Sequence, residues 1–346
     1  MAKTLEEKMK ENKKERSKDL SSIMGALQDL VLEHLIKVDT EEIFAEVYPA
    51  VKKRIEDEIG PIPEIHKIET PLGEHKIEGI THEKFDEVLE MVYHDIPTYL
   101  SGPAGTGKNV ICKQVADALG LDFYFTNAVT QEYKLTGFVD ANGVYQDTQF
   151  YNAFTKGGLF YLDEMDGSIP ETLIILNAAI SNRYFDFPKH GKVEAHKDFR
   201  IIAAGNTLGT GANSDYTGRY CLDRASLDRF ATIKIDYSPK IESAITQNDK
   251  DLLEFCHAFR KITEESGIPC LFSYRSLERI HKLAVAKTLP MQEIYEISLL
   301  KGLDKDDINI IKAEFGKLDD RIKNLSYTKE FLRIQSNEKA KNKQSS

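Results

Sequence analysis

The sequence is poor in three things. Its four cysteines, Cys112, Cys221, Cys256 and Cys270, are widely scattered and form no C-x-x-C pair. That spacing excludes a disulfide framework and a cysteine zinc site, and it suits a reducing compartment. Long apolar runs are also missing, since none approaches the roughly 20 residues that a membrane-spanning helix needs. The first residues, "MAKTLEEKMKENKKERSKDL", carry lysines with no apolar stretch behind them, so no secretion signal is expected. A cytoplasmic location without a membrane partner follows as the expectation. The third shortage is positive charge: 46 Lys and Arg against 56 Asp and Glu leave a formal charge of −10. Coating DNA or RNA takes a basic face to neutralise phosphates, so direct nucleic-acid binding is not favoured.

What is present fits a folded protein with a sizeable core. Hydrophobic residues make up 41% and charged residues 29% of the 346 positions, a length that accommodates two domains. Residues 1–60 read as a charged N-terminal extension. Its apolar positions recur at helical spacing, Ile23, Leu27, Leu30, Val31 and Leu35, then Ile43, Phe44, Val47, Val51 and Ile55. The cluster "GPIP" closes it. "EIHKIETPLGEHKIEG" predicts a β-hairpin, and "THEKFDEVLEMVYHD" a helix with Phe85, Leu89 and Val92 on one face. Short apolar runs follow, "DFYFTNA", "GLFYLDE", "FRIIAAGN" and "FATIKIDY", separated by stretches that hold helices. Apolar on both faces, such strands predict a largely parallel sheet covered by helices on both sides, an α/β core over 61–239. Beyond Pro239 the pattern is helical, giving a smaller α-domain over 240–335 and a disordered tail over 336–346.

The chemistry concentrates in "SGPAGTGKNV". A glycine-rich loop between a strand and a helix wraps a polyphosphate with converging backbone N–H groups, backed by the helix N-terminus. Gly102, Pro103, Ala104, Gly105, Thr106, Gly107, Lys108, Asn109 and Val110 are the candidate nucleotide-binding residues, with Lys108 reaching the phosphates. The helix "NVICKQVADALG" is expected to point Val110, Val115 and Leu119 inward. Asn109 stands where this pattern normally has Ser or Thr, the hydroxyl that ligates magnesium. Its amide offers a neutral hard oxygen on a longer arm, to act directly or through water.

"GGLFYLDEMD" is an apolar strand ending in Asp163, suited to Mg²⁺, and Glu164, suited to the base that polarises an attacking water. "FRIIAAGNT" ends in Asn206, which either holds the lytic water or a γ-phosphate oxygen, or is a turn residue. Arg224 and Arg229 precede the last strand; each is either a surface ion pair or an arginine aimed at a neighbouring subunit's nucleotide. Arg275, near the start of a helix in the α-domain, is placed to touch the γ-phosphate in cis. "TGFVDANGVYQDTQFYNAF", with a turn over Asp140–Gly143, and "YFDFPKHGKVEAHKDF" read as two further hairpins. His190 and His196 in the second are read as solvated in preference to metal ligands.

Together "GPAGTGK", "LFYLDE", "AAGNTLGTGANSDYTGRYCLDRASLDRF" and "SYRSL" resemble the AAA+ ATPases, in the MoxR and dynein-related branch. The nearest likeness is to the ATPase subunit of aerobic cobaltochelatase (CobS-like), over roughly residues 60–290. The resemblance implies a five-stranded core, a helical lid and a hexameric ring with ATP and Mg²⁺ at subunit interfaces. By it Lys108, Asp163, Glu164, Asn206, Arg229 and Arg275 take the roles above, with Arg224 the weaker candidate for the trans arginine. It also implies a client protein, often one carrying a von Willebrand-type domain, and a channel-facing position for the first of the two later hairpins. The reading that follows is an ATP-driven remodeller. Its alternatives are a motor for a nucleic-acid-processing complex, as in McrB-like GTPases, and a nucleotide-stabilised scaffold with little turnover.

Overall fold

A computed structural model describes residues 66–70, 73–77, 79–212 and 216–334, and the single positions Val47, Val51 and Arg54. Residues 1–58 and 59–346 form separate compact units. Of the first unit only those three single positions are described, and all three are helical. The rest of the expected N-terminal helices and the tail after residue 335 lie outside the described residues.

The second unit opens with the expected hairpin, β1 (His66–Thr70) paired antiparallel with β2 (Gly73–Ile77). Then follow α1 (Phe85–Tyr93), β3 (Thr98–Ser101), α2 (Lys108–Ala118), β4 (Phe123–Thr126) and the short α3 (Tyr133–Thr136). β5 (Phe138–Val139) and β6 (Tyr145–Gln146) form the second hairpin, and α4 (Gln149–Lys156) leads to β7 (Gly158–Leu162). After α5 (Pro170–Asn182) come the third hairpin, β8 (Tyr184–Phe187) with β9 (Gly191–Glu194), and then β10 (Phe199–Gly205). The single turn α6 (Arg224–Leu227) precedes β11 (Ala231–Lys234).

The main sheet is five-stranded and parallel throughout, in the order β11-β3-β10-β7-β4. The fold is therefore α/β, and the alternation of side chains along each strand explains its layers. Tyr99, Phe160, Leu162, Ile201 and Ala203 pack on one side with Phe150 and Phe154 of α4 and Leu173 and Leu176 of α5. Their neighbours Leu100, Leu159, Tyr161, Ile202 and Ala204 pack on the other with Phe85, Val88 and Val92 of α1 and Ile111, Cys112 and Val115 of α2. Central strands buried on both faces must be apolar at every position, which is why they read as continuous runs.

Two expected helix faces hold at most of their positions and differ at one each. In α1 the fully buried positions are Phe85, Val88 and Val92, with Leu89 at the margin. In α2 Val115, and at its C-cap Leu119, are buried as expected, together with Ile111, Cys112, Ala116 and Ala118, while Val110 is 57% exposed.

The chain continues as helices, α7 (Pro239–Ile245), α8 (Lys250–Glu265), α9 (Tyr274–Ala286), α10 (Met291–Ser298), α11 (Lys305–Lys317), α12 (Asp320–Lys323) and α13 (Ser326–Leu332). They enclose their own core around Phe255, Phe259, Leu277, Ile280, Tyr295, Phe315 and Phe331. Phe255 stacks on Phe315 with ring centroids 5.6 Å apart. No helix among the described residues is long and apolar enough to cross a membrane.

Candidate nucleotide site

Three neighbouring strands build the site. β3, β10 and β7 run parallel with Ser101 opposite Gly205 and Leu162 opposite Ala203, so their C-terminal tips lie side by side. The residues just beyond those tips are Gly102, Asn206 and Asp163. In parallel sheets this edge is where ligands bind.

The loop from Gly102 to Gly107 crosses it and ends as α2 begins with Lys108. No side chain caps α2, so the first N–H groups of the helix face the loop, the arrangement that attracts an anion. Lys108 is 8% exposed, and its Nζ donates to Gly102 O (2.8 Å), Pro103 O (3.0 Å) and Asn206 Oδ1 (3.2 Å). Burial pushes its ammonium down to about 8, against an opposing pull from Asp163 and Asp166. Thr106 is buried and its hydroxyl donates back to Pro103 O at 3.0 Å, tightening the loop.

At the tip of β7, Asp163 Oδ1 accepts from Tyr161 Oη and from Glu164 N, each at 3.0 Å. Burial raises the Tyr161 phenol, keeping it a donor. Glu164 adopts a left-handed conformation, φ 52°. Both of its oxygens face Arg219, Oε1 at 3.3 Å from Nη2 and Oε2 at 3.5 Å from Nη1. Asn206 N, Thr207 N and Thr207 Oγ1 donate to Asp166 Oδ2 at 3.0, 2.9 and 3.0 Å.

The helical segment leans on the loop from the other side. Ser273 caps α9 by accepting from Ser276 N, and a Cβ on Gly105 (φ 77°) would stand 2.7 Å from Ser273 Cβ. Only glycine allows that approach. Tyr237 Oη donates to Ala104 O at 3.0 Å, and the guanidinium of Arg260 lies over the Tyr237 ring at 3.8 Å. Tyr216 Oη accepts from Ala104 N at 3.0 Å.

The structure thus brings Lys108, Asp163, Glu164 and Asn206 together. Asn109 and Val110 are exposed in the first turn of α2, and Arg275 is exposed in the first turn of α9, beside Tyr274. Arg229 lies outside the cluster: its Nε donates to Ser181 Oγ of α5 at 3.0 Å and its Nη1 to Ala225 O. Arg224 opens α6 and is exposed. The two later hairpins touch, because Lys189 Nζ donates to Gly143 O at 2.6 Å and the His190 ring packs on Tyr145 and Tyr151. His190 is exposed while it makes these ring contacts. Among the described residues no three of His, Cys, Asp and Glu gather as a metal cluster.

Sequence reasoning missed Asp166, Thr207, Tyr216, Arg219 and Tyr237. Asp166 carried a signal, since it follows Glu164 by two residues on a buried turn. The others lie in connecting segments whose partners are distant in the chain.

Residues 97–230 match the family model described as an AAA domain of the dynein-related subfamily. An uncharacterized protein of Staphylococcus epidermidis is 29% identical over 230 residues, 60% of this chain and 84% of that one. An uncharacterized protein of Staphylococcus aureus is 26% identical over 191 residues, 49% of this chain and 70% of that one. Among solved structures, NtrX from Brucella abortus in complex with ATP is 14% identical with a TM-score of 0.37, over 71% of this chain and 55% of that chain. The chain thus spans just over half the length of that structure.

Proposed function

We propose that the protein is an ATPase of the AAA+ type, working as a ring that remodels a partner protein. One observation carries the enzymatic part. A buried lysine on a glycine-rich loop, an Asp-Glu pair and an asparagine converge from three adjacent strand tips at a helix N-terminus. The match of residues 97–230 to the AAA domain supports the same reading.

In this reading the loop amides and the α2 N-terminus hold the phosphates, and Lys108 turns from Gly102 O and Asn206 towards them. Glu164 takes the proton of the attacking water, and Asn206 orients that water or a γ-phosphate oxygen. The donor set suits magnesium: Asp163 accepts both of its hydrogen bonds on Oδ1, which leaves Oδ2 for a hard cation, and the exposed Asn109 amide offers a second oxygen. When bound, the cation neutralises charge on the β- and γ-phosphates. Arg275 reads the γ-phosphate from the lid in cis, and Arg229, or else Arg224, serves a neighbouring subunit's site in trans.

The hexameric ring, a client with a von Willebrand-type domain and the likeness to the cobaltochelatase subunit rest on the resemblance of the segment from Ala203 to Phe230. The test is ATP hydrolysis by wild type, Lys108→Ala and Glu164→Gln, with mass measured with and without ATP. Hydrolysis lost in both variants, with an ATP-dependent oligomer trapped by Glu164→Gln, supports the reading. Absence of ATP binding by the wild type overturns it.

A further inference from the structure

Glu164 has three rotatable side-chain bonds and 41% of its side chain open to solvent, so something must aim it. Its neighbour for that task is rigid. Arg219 has only 13% of its side chain exposed, and its Nε stands 3.6 Å from Asp166 Oδ1. Asp166 is fully buried and is fixed by the three hydrogen bonds on its other oxygen. Its Oδ1 accepts no hydrogen bond, so Arg219 is the cation that this oxygen faces. The backbone beside Arg219 is anchored on the same residue, with Tyr220 N donating to Asp166 O at 2.8 Å. Two residues on, Leu222 N donates to Gly209 O at 3.0 Å. Space is reserved for the guanidinium as well, since a Cβ on Gly167 would come within 2.4 Å of Nη1.

We propose that Arg219 is a positioning residue that acts through Glu164, presenting Nη1 and Nη2 to its two carboxylate oxygens and fixing the direction in which it receives the water's proton. The inference rests on the reading of Glu164 as the base. A planar guanidinium with its Nε side paired in charge to one buried carboxylate at 3.6 Å and its two outer nitrogens facing another defines an orientation that a lysine ammonium cannot. The chain of contacts also joins the base to the rest of the site. Asp166 holds Asn206 N, and Asn206 Oδ1 accepts from Lys108 Nζ. Misplacement of a reacting group by about 1 Å costs on the order of 10²-fold in rate, so the support of the base decides turnover without touching nucleotide affinity.

The test is a double-mutant cycle on the full chain. Arg219→Ala lowers kcat at least about tenfold, a part of the roughly 10²–10⁴-fold worth of a general base, while the affinity for ATP stays within about threefold. On the Glu164→Gln background the same substitution changes the residual rate by less than about twofold, because the group it positions is no longer a base. Arg219→Lys recovers part of the rate. It also preserves the charge facing Asp166, so it serves as the measured variant if Arg219→Ala fails to fold, with the melting temperature as control. An equal loss in both backgrounds assigns Arg219 a structural role and overturns the proposal. A rise in turnover, which would make the ion pair a restraint on Glu164, overturns it too. If wild type hydrolyses no ATP, the reading of the site fails first; if it does and the cycle is additive, only this inference fails.

Discussion

Lys108 keeps a charge where burial opposes it, and that has a measurable consequence. Its side chain lies under the loop, 8% exposed, with three carbonyl-type oxygens as partners. Burial lowers its pKa from 10.5 to about 8, a gap worth about 3 kcal/mol of unfavourable charging in the folded protein. The sign follows from proton binding. Below pH 8 both folded and unfolded chains carry the proton and the folded state bears the full penalty. Between pH 8 and 10.5 the folded lysine has released its proton while the unfolded one retains it, so stability rises with pH across that window. Lys108→Met, similar in length and apolar, abolishes ATP binding. Without nucleotide its stability near pH 7 is close to that of wild type, because relief of about 3 kcal/mol of unfavourable charging is offset by three lost hydrogen bonds at about 1 kcal/mol each. The decisive quantity is the slope with pH, because Lys108 is the one group that titrates in wild type and is missing from the variant. Urea denaturation of both proteins at several values between pH 7 and 10.5 measures it. The wild type gains stability relative to the variant as pH rises, by about 3 kcal/mol over the whole window. Parallel curves, or a wild type that loses stability relative to the variant, refute the argument that the lysine is held charged against burial.

Three other substitutions test the site. Glu164→Gln keeps the shape and loses the base, so it binds ATP but hydrolyses it about 10²–10⁴-fold more slowly; near wild-type turnover in a coupled assay means another group is the base. Tyr216→Phe frees the Ala104 N–H that a phosphate needs, and removal of one competing hydrogen bond tightens ATP binding roughly 2- to 12-fold by titration calorimetry. Unchanged or weaker binding shows that Tyr216 does not compete with the nucleotide. If Arg229 serves a neighbouring subunit in the proposed ring, Arg229→Ala loses hydrolysis while retaining nucleotide binding, and mixing it with Lys108→Ala restores activity where an intact site meets an intact arginine. An in-trans arginine is worth about 10³–10⁵-fold, so a minority of repaired interfaces is visible; full activity of Arg229→Ala alone shifts the role to Arg224.

Much of the architecture was legible in the sequence because it rests on local rules. Strands buried on both faces have to be apolar throughout, so "GLFYLDE" and "FRIIAAGN" announced β7 and β10. A loop that must turn tightly before a helix needs glycines, so Gly102 to Lys108 announced the turn between β3 and α2. The polar tips Asp163, Glu164 and Asn206 stood out against apolar runs, and the turn over Asp140–Gly143 and the segment "YFDFPKHGKVEAHKDF" read as hairpins. What the sequence by itself determined was therefore the α/β core and the residues at the strand ends. Only the tertiary structure decided which distant groups complete the site. Arg219 reaches Glu164 across 55 positions, Tyr216 reaches Ala104 across 112 and Tyr237 reaches it across 133. No periodicity marks such residues, because each lies in a connection and takes its partner from where the sheet order sets it down. Along α2 and its C-cap the sequence marked Val115 and Leu119 as buried, and only the structure showed that Ile111 turns inward while Val110 stands in solvent.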